Sequence, residues 1–155
     1  MAAAEKGVDH DKGVAHELSK VLADSFTIYQ KTHGYHWNVR GPNFRGLHLL
    51  LEEQYNEIWT AIDDIAERIR ALDEYAPMGH GALGNLTSIK DGDPTLASAD
   101  MIKDLIDGHA TTVATLKKAA KVADDAGDIS TNDLCTQRVT AHEKHIWMLK
   151  STLTA

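Results

Sequence analysis

Five side chains of the types that bind transition metals lie in the first half of the sequence. They are His36, His48, Glu52, Asp63 and Glu67. Imidazole suits borderline metals and carboxylate suits harder ones, so two imidazoles with up to three carboxylates favour Fe(II) over structural zinc or calcium. Such a set leaves coordination positions open for an oxidant. The residue types therefore indicate an iron site that supports redox chemistry.

The spacing of these residues prevents one chain from completing the site. His48 and Glu52 are one helical turn apart, as are Asp63 and Glu67, and all four fall within a sector of about 100° on one helix. At a rise of about 1.5 Å per residue, however, His48 and Asp63 are about 22 Å apart along the axis. Two copies of the helix, packed antiparallel across a two-fold axis, would join the two pairs and form two equivalent sites.

The composition indicates one helical domain without a membrane span. The chain has 155 residues, of which 43% are hydrophobic and 25% are charged. This length suits one compact domain and is too short for two, so we treat residues 1–155 as a single domain with a short tail over residues 1–13. No apolar run approaches the roughly 20 residues needed to cross a bilayer. The N-terminal segment lacks a secretory pattern and Cys135 has no disulfide partner, so we expect a cytoplasmic protein.

Three prolines divide the chain into four predicted helices. Pro42, Pro77 and Pro94 lie between stretches in which apolar residues recur every three or four positions. The predicted helices run from about Val14 to Trp37, from about Asn43 (a possible N-cap) to Leu72, from about Ser98 to Asp124 and from about Thr131 to Leu153.

The connections between these helices predict an all-α four-helix bundle. The links near Gly41 and Gly127 are short enough to join antiparallel neighbours, whereas residues 77–97 must cross the bundle and contain a short extra helix at about residues 82–89. Leu49 and Trp59 share a flank of the second helix with the metal-type residues, which predicts a surface that a partner covers. The predicted inward face of the second helix includes Phe44, Leu51, Tyr55, Ile58, Ile62, Ile65 and Ile69, and that of the last helix includes Cys135, Val139, His142, Ile146, Leu149 and Leu153.

The residues around the candidate ligands resemble a known family. The segment from Lys31 to Phe44, followed by His48, Glu52, Asp63 and the run 66–68, resembles the signature of Dps proteins, the small ferritins of starved bacteria. The resemblance continues at residues 127–134 and 142–149 and covers nearly the whole chain. It implies a ferritin-like bundle that assembles into a dodecamer, a hollow shell of twelve subunits, in the bacterial cytoplasm.

The resemblance also implies an activity and assigns residues to it. Dps proteins oxidise Fe(II) with hydrogen peroxide or dioxygen, store ferric mineral in the shell and protect against oxidative damage. By position, His36, His48 and Glu52 match the ferroxidase ligands of one subunit, and Asp63 and Glu67 match those of its neighbour. Glu52 stands where the family often has Asp and is one methylene longer. Acidic family positions that line iron-entry pores at a three-fold axis are matched by Asp128 and Asp133.

Structural interpretations of the same residues remain open alternatives. A histidine on an apolar stripe is commonly a packed core residue, which is our interpretation of His109 and His142, and a carboxylate on a helix flank is commonly only solvated. Glu53 and Glu57 face either a cavity or solvent. Asp128 lies in a turn, and Asp133 completes a Ser-x-x-Asp capping pattern after Ser130. The combination of the five ligand types with the extended motif favours the metal site.

Two other functions compete with iron oxidation. The first is DNA compaction, as in relatives with lysine-rich tails. Here the net charge is -7, and Lys6 and Lys12 are outnumbered by Glu5, Asp9 and Asp11 in the first twelve residues, so we expect no DNA binding at physiological salt near neutral pH. The second is a structural or zinc-storing cage, for which the same ligands would serve.

Overall fold

The chain folds into five helices, as a computed structural model shows. The structure describes the backbone of residues 2–154 and the side chains of residues 11–154. The helices are α1 (Ala2–Asn38), α2 (Phe44–Ala71), α3 (His80–Leu86), α4 (Ser98–Asp125) and α5 (Ile129–Leu153). Over these residues there is no strand, and no helix is long and apolar enough to span a membrane. The predicted all-α four-helix bundle with a short extra helix is confirmed.

Most helix ends lie within two residues of their predicted positions, with two larger differences. α1 begins at Ala2 rather than near Val14, so the predicted tail over residues 1–13 is helical in backbone from Ala2 onward. The side chains of residues 1–10 lie outside the described part of the chain. α3 spans His80–Leu86, slightly earlier than predicted. Asn43 precedes α2 as expected, but its side chain makes no capping hydrogen bond.

Two short connections each close a helical hairpin, and the two hairpins together form the bundle. Gly41 links α1 to α2 with a φ of 118°, and Gly127 links α4 to α5 with a φ of 73°. A side chain would be strained at both positions, which explains why glycine occupies them. The helices pack closely in the pairs α1–α2, α4–α5 and α1–α4, whereas α2 and α5 meet over a smaller surface.

The core follows most of the predicted inward stripes. Leu18, Leu51, Ile58, Leu105 and Leu149 are among its fully buried members. Phe44 and Leu153, which were predicted to face inward, are instead 43% and 37% exposed because each lies at the end of its helix, beyond the reach of the opposing helices. Burial of the apolar stripes supplies most of the stabilisation of the four long helices.

The long connection is held against the bundle by one buried carboxylate. Asp24 of α1 is 0% exposed. Its Oδ1 accepts hydrogen bonds from Thr87 Oγ1 (2.9 Å) and Ser88 N (2.7 Å), and its Oδ2 accepts one from Thr115 Oγ1 of α4 (2.7 Å). Thr27 Oγ1 also donates to Thr87 Oγ1 at 2.9 Å. Asp24 therefore joins α1, α4 and the crossing segment.

Replacing Asp24 with alanine should reduce stability because three donors lose their acceptor. We expect Asp24→Ala to lower the free energy of unfolding by about 2–4 kcal/mol and Asp24→Asn, which keeps one carbonyl oxygen, to lower it by less. Denaturant titration followed by circular dichroism measures both effects. A stability of Asp24→Ala equal to that of the unsubstituted protein would contradict this role.

Candidate metal centre

The two candidate histidine ligands come together where α1 ends and α2 begins. The rings of His36 and His48 are stacked, with centroids 3.7 Å apart and planes inclined by 14°. Each ring is hydrogen-bonded to the other residue's backbone: His36 Nδ1 lies 2.7 Å from the His48 carbonyl, and His48 Nδ1 lies 2.7 Å from the His36 carbonyl. His36 is buried and His48 is half-buried. The short α1–α2 connection thus positions both imidazoles.

The two reciprocal hydrogen bonds assign the tautomer of both rings. A carbonyl oxygen only accepts hydrogen bonds, so each Nδ1 must carry the proton and donate it. In the neutral form of each ring, Nε2 then keeps its lone pair. Metal-binding histidines commonly donate their second ring nitrogen to a carbonyl or carboxylate in this way, because the bond fixes the ring orientation. The pair therefore presents two imidazole nitrogens that are suited to bind a metal.

Glu52 lies one turn after His48 on α2 and is half-buried. The ring of Tyr55, one turn further from His48 on the same helix, meets the ring of His36 edge-on at 5.2 Å. Burial raises the pKa of Tyr55, and the charges of Glu52 and Tyr29 raise it further. The hydroxyl of Tyr55 therefore stays protonated at neutral pH. The structure thus brings the rings of His36 and His48 together and places Glu52 one turn further along α2.

Asp63 and Glu67 form a separate pair on α2. Both side chains are exposed and they are one helical turn apart, while α2 continues without a break from His48 to Glu67. Among the side chains that the structure describes, no three His, Cys, Asp or Glu residues gather closely enough to hold a metal ion. One protomer thus presents two groups of candidate ligands and does not join them.

An apolar and aromatic surface surrounds these two groups. Trp37 is 65% exposed and Trp59 is 55% exposed. Next to them, two side chains of α1 contact α2: the Tyr29 ring lies 5.1 Å from the Trp59 ring between centroids, and the His33 ring stacks on Tyr55 with centroids 3.9 Å apart. Burial lowers the pKa of His33, and the proximity of His36 lowers it further. Two large indoles on one face predict a surface that another molecule covers.

A second polar cluster lies inside the bundle, and we call its five residues the polar layer: Glu57, His109, Arg138, His142 and His145. The guanidinium of Arg138 donates to both oxygens of Glu57, with Nη2–Oε1 at 3.0 Å, and His145 Nε2 donates to Glu57 Oε1 at 2.8 Å. Burial alone would raise the pKa of Glu57, but the hydrogen bonds from His145 and Arg138 lower it to about 2.

The polar layer was only partly anticipated from the sequence. His109 and His142 are packed core histidines, as interpreted, and their Nδ1 atoms are 2.8 Å apart. The sequence interpretation missed Arg138 and His145, and it placed Glu57 facing a cavity or solvent. The signal was present in the spacing: Cys135, Arg138, His142, His145 and Leu149 recur at three and four residues and are all buried.

The two aspartates assigned to a pore have different surroundings. Asp128 is the N-cap of α5: it accepts from Thr131 N (3.0 Å) and Thr131 Oγ1 (2.6 Å), and it pairs with Arg68 Nη2 at 2.9 Å. Burial would raise the pKa of Asp128, but the bonds from Thr131 and Arg68 lower it. Asp133 is exposed and bonds only Gln137 Nε2, at 2.8 Å. The predicted Ser130–Asp133 capping pattern is therefore wrong, because α5 begins one residue before Ser130 and Asp128 caps it.

Comparison with known proteins places this helical arrangement in a class. The ferritin-like domain family matches residues 15–155. The structure of Dps from Thermosynechococcus elongatus superposes with a TM-score of 0.92 at 33% identity, covering 96% of this chain and 95% of that one. A Dps from Bacillus brevis gives a TM-score of 0.91 at 34% identity, covering 94% and 98%.

A similar protein with a given name indicates the family within the ferritin-like class. The protein of Brevibacillus brevis named DNA protection during starvation protein is 36% identical over 140 residues, which are 90% of this chain and 94% of that protein. A Vibrio cholerae Dps structure, with a TM-score of 0.91 at 28% identity over 95% of this chain and 92% of that one, is described as a member of a broad superfamily of ferritin-like diiron-carboxylate proteins. The chain is a ferritin-like protein, and within that class it belongs to the Dps family.

Two substitutions at His48 should separate its structural role from metal binding. Asparagine places an amide N–H near the position of Nδ1 but has no atom at Nε2, whereas alanine has neither. We expect both variants to lose at least tenfold in Co(II) affinity. Only His48→Ala should also lose about 1 kcal/mol of stability. Calorimetric titration and thermal unfolding measure the two properties, and full metal affinity in His48→Asn would contradict the assignment of Nε2.

Proposed function

We propose that this protein is a ferroxidase that oxidises Fe(II) with hydrogen peroxide or dioxygen and stores the ferric product inside a hollow dodecamer, protecting the cell against oxidative damage. The observation that supports the proposal most directly is the His36–His48 pair, whose two Nε2 atoms keep their lone pairs. The carboxylates of Glu52, Asp63 and Glu67 would complete an oxygen-rich set suited to Fe(II). Membership of the Dps family agrees with this chemistry.

Each complete site would be shared by two subunits. Two α2 helices packed antiparallel would bring His36, His48 and Glu52 of one copy to Asp63 and Glu67 of the other. The exposed indole of Trp59 lies on the same flank of α2, and its burial would favour this contact. A two-fold interface of this kind gives two equivalent sites for each dimer, and six dimers give the proposed dodecamer.

The electrons balance in the proposed reaction, and no radical is released. Two Fe(II) ions, which are the substrate, each lose one electron, and one hydrogen peroxide takes both electrons and two protons to give two water molecules. The protein contributes position and charge: neutral imidazoles and carboxylates hold the two ions close together, and Glu67 is suited to bridge them.

The alternative functions receive less support. DNA compaction would need a basic surface, and the chain carries a net charge of -7, although relatives are named for DNA protection. A zinc-storing cage would use the same ligands but would not oxidise iron. The proposal also includes a cytoplasmic location.

Mixing two inactive variants should restore activity if the centre is shared. We expect His36→Ala/His48→Ala and Asp63→Ala/Glu67→Ala proteins each to oxidise Fe(II) with hydrogen peroxide at least tenfold more slowly than the unsubstituted protein. Dissociated and reassembled together, they should form some dimers in which one of the two sites is intact.

Anaerobic stopped-flow absorbance gives the rates, and native mass spectrometry shows whether both chains are present. Each variant reassembled alone is the control. Mixed assemblies that oxidise iron no faster than either parent would contradict the shared centre. Full activity in both parents would contradict the assignment of these four residues as ligands, and an unsubstituted protein that does not oxidise Fe(II) would contradict the ferroxidase itself.

The free charge of Asp133 should guide iron entry, whereas Asp128 should mainly stabilise α5. Arg68 already compensates Asp128, but Asp133 has no cationic partner among the described residues. We expect Asp133→Asn to slow Fe(II) uptake several-fold at low ionic strength and less at high salt, without loss of stability. The comparison variant Asp128→Ala should lower stability by about 1–2 kcal/mol. An unchanged uptake rate in intact Asp133→Asn shells would contradict the pore assignment.

A further inference from the structure

The polar layer has one consistent arrangement of protons. Arg138 Nη2 lies 3.4 Å from His142 Nε2, and arginine only donates, so His142 Nε2 must accept. The proton of neutral His142 is then on Nδ1 and is donated to His109 Nδ1, 2.8 Å away. His109 in turn carries its proton on Nε2. Both rings are fully buried.

This arrangement of donors disfavours the addition of a second proton to either ring. A proton added at His109 Nδ1 would meet the N–H of His142, and a proton added at His142 Nε2 would meet the N–H of Arg138. Either ring can therefore become charged only if an existing hydrogen bond breaks. The positions of the N–H donors therefore disfavour protonation of either ring. Because His109 belongs to α4 and His142 to α5, the hydrogen bond between the rings also links these two helices.

The charged groups around His109 and His142 do not remove this barrier to protonation. Among the described side chains, Arg138 and His145 of α5 and Glu57 of α2 face the pair. Both oxygens of Glu57 are already bonded to Arg138 and His145. On α1, Asp24 and Lys31 bind Thr115 and Asp104 of α4, on either side of His109 along that helix.

The polar layer is also incompletely satisfied and is open on one side. His109 Nε2 and Arg138 Nε have no hydrogen-bond partner among the described residues. Networks that are partly satisfied hold their helices less firmly than an apolar core does. A cavity between α2 and α5, lined by Glu53, Lys144 and Met148 together with Glu57 and His145, gives solvent access to the layer. Protons can therefore reach Glu57 and His145, the outer members of the layer, from solvent.

We propose that the polar layer is an acid-sensitive junction, which holds α5 against α4 at neutral pH and separates them when His109 and His142 take up protons. Two new positive charges beside Arg138 would have a single carboxylate, Glu57, to balance them. The helices would then have to part so that water reaches the rings. Opening should begin at α4 and α5 and leave the α1–α2 hairpin protected, because that hairpin holds no member of the layer except Glu57.

The direction of the pH dependence follows from the two histidines. Burial, with smaller contributions from His145 and Arg138, lowers the pKa of His109 to about 3, and burial is also the main reason that the pKa of His142 is lowered. The unfolded chain, with a histidine pKa of about 6.5, binds more protons than the folded chain below that pH. The stability supplied by the layer is thus present above about pH 6.5 and is lost as the pH falls towards 3.

Hydrogen exchange with mass spectrometry on the intact protein tests the junction. At about pH 4.5, between the unfolded and folded pKa values of His109, peptides around residues 105–116 and 135–149 should lose protection relative to pH 7, after correction for the intrinsic exchange rate. Peptides around residues 18–35 and 51–69 should keep it. Uniform loss of protection, or loss that begins in the α1–α2 hairpin, would overturn the proposal.

A variant pair tests whether the two histidines cause the change. His109→Asn/His142→Asn keeps an amide at each Nδ1 position but cannot titrate, so its loss of α5 protection should occur about one pH unit lower. His80→Gln removes an exposed histidine and should behave like the unsubstituted protein. Loss at the same pH in the double variant would overturn the proposal. Should the double variant fail to fold at neutral pH, the peptide comparison on the unsubstituted protein still decides.

Discussion

The candidate centre depends on two hydrogen bonds between the end of α1 and the start of α2. Each imidazole of the His36–His48 pair donates to the backbone carbonyl of the other residue, which orients both rings and leaves both Nε2 atoms available. The bonds exist because the glycine at position 41 allows the chain to turn within a few residues. The same contacts therefore close the α1–α2 hairpin and hold the two imidazoles of the proposed metal site. His48 is half-buried, and a second copy that covers this part of the bundle could add the remaining ligands.

The interior of the bundle is organised differently. Its centre holds Arg138, which is paired with Glu57, and the surrounding histidines are hydrogen-bonded to one another or to that carboxylate. A guanidinium at this level disfavours a divalent cation because both are positively charged. No Glu-x-x-His pair of the kind that binds two irons within one bundle is present in the sequence. The interior of the bundle is thus filled by its own polar layer, which agrees with placing the proposed metal site at an interface.

Periodicity and turn residues predicted the four long helices and their order, because apolar stripes and glycine turns act locally. The pairing of His36 with His48 could be predicted only as a match to a family motif, since the reciprocal bonds depend on how the two helices meet. On α5 the prediction selected Val139 and Ile146 as inward residues because they are apolar, and the structure buries Arg138 and His145 more deeply. Hydrogen bonds to α2 stabilise these polar residues in the core. The pattern of residues along α5 alone cannot reveal such partners. Asp128 was likewise assigned to a pore without its partner Arg68, which is about sixty positions away in the sequence.

In the proposed arrangement, each metal centre takes its ligands from two copies of the chain. Anomalous diffraction from crystals loaded anaerobically with Fe(II), measured on both sides of the iron absorption edge, tests it most directly. We expect iron peaks at a two-fold interface, bound by Nε2 of His36 and His48 from one copy and by Asp63 and Glu67 from the other. Iron within a single bundle, or iron whose ligands all come from one copy, would contradict it.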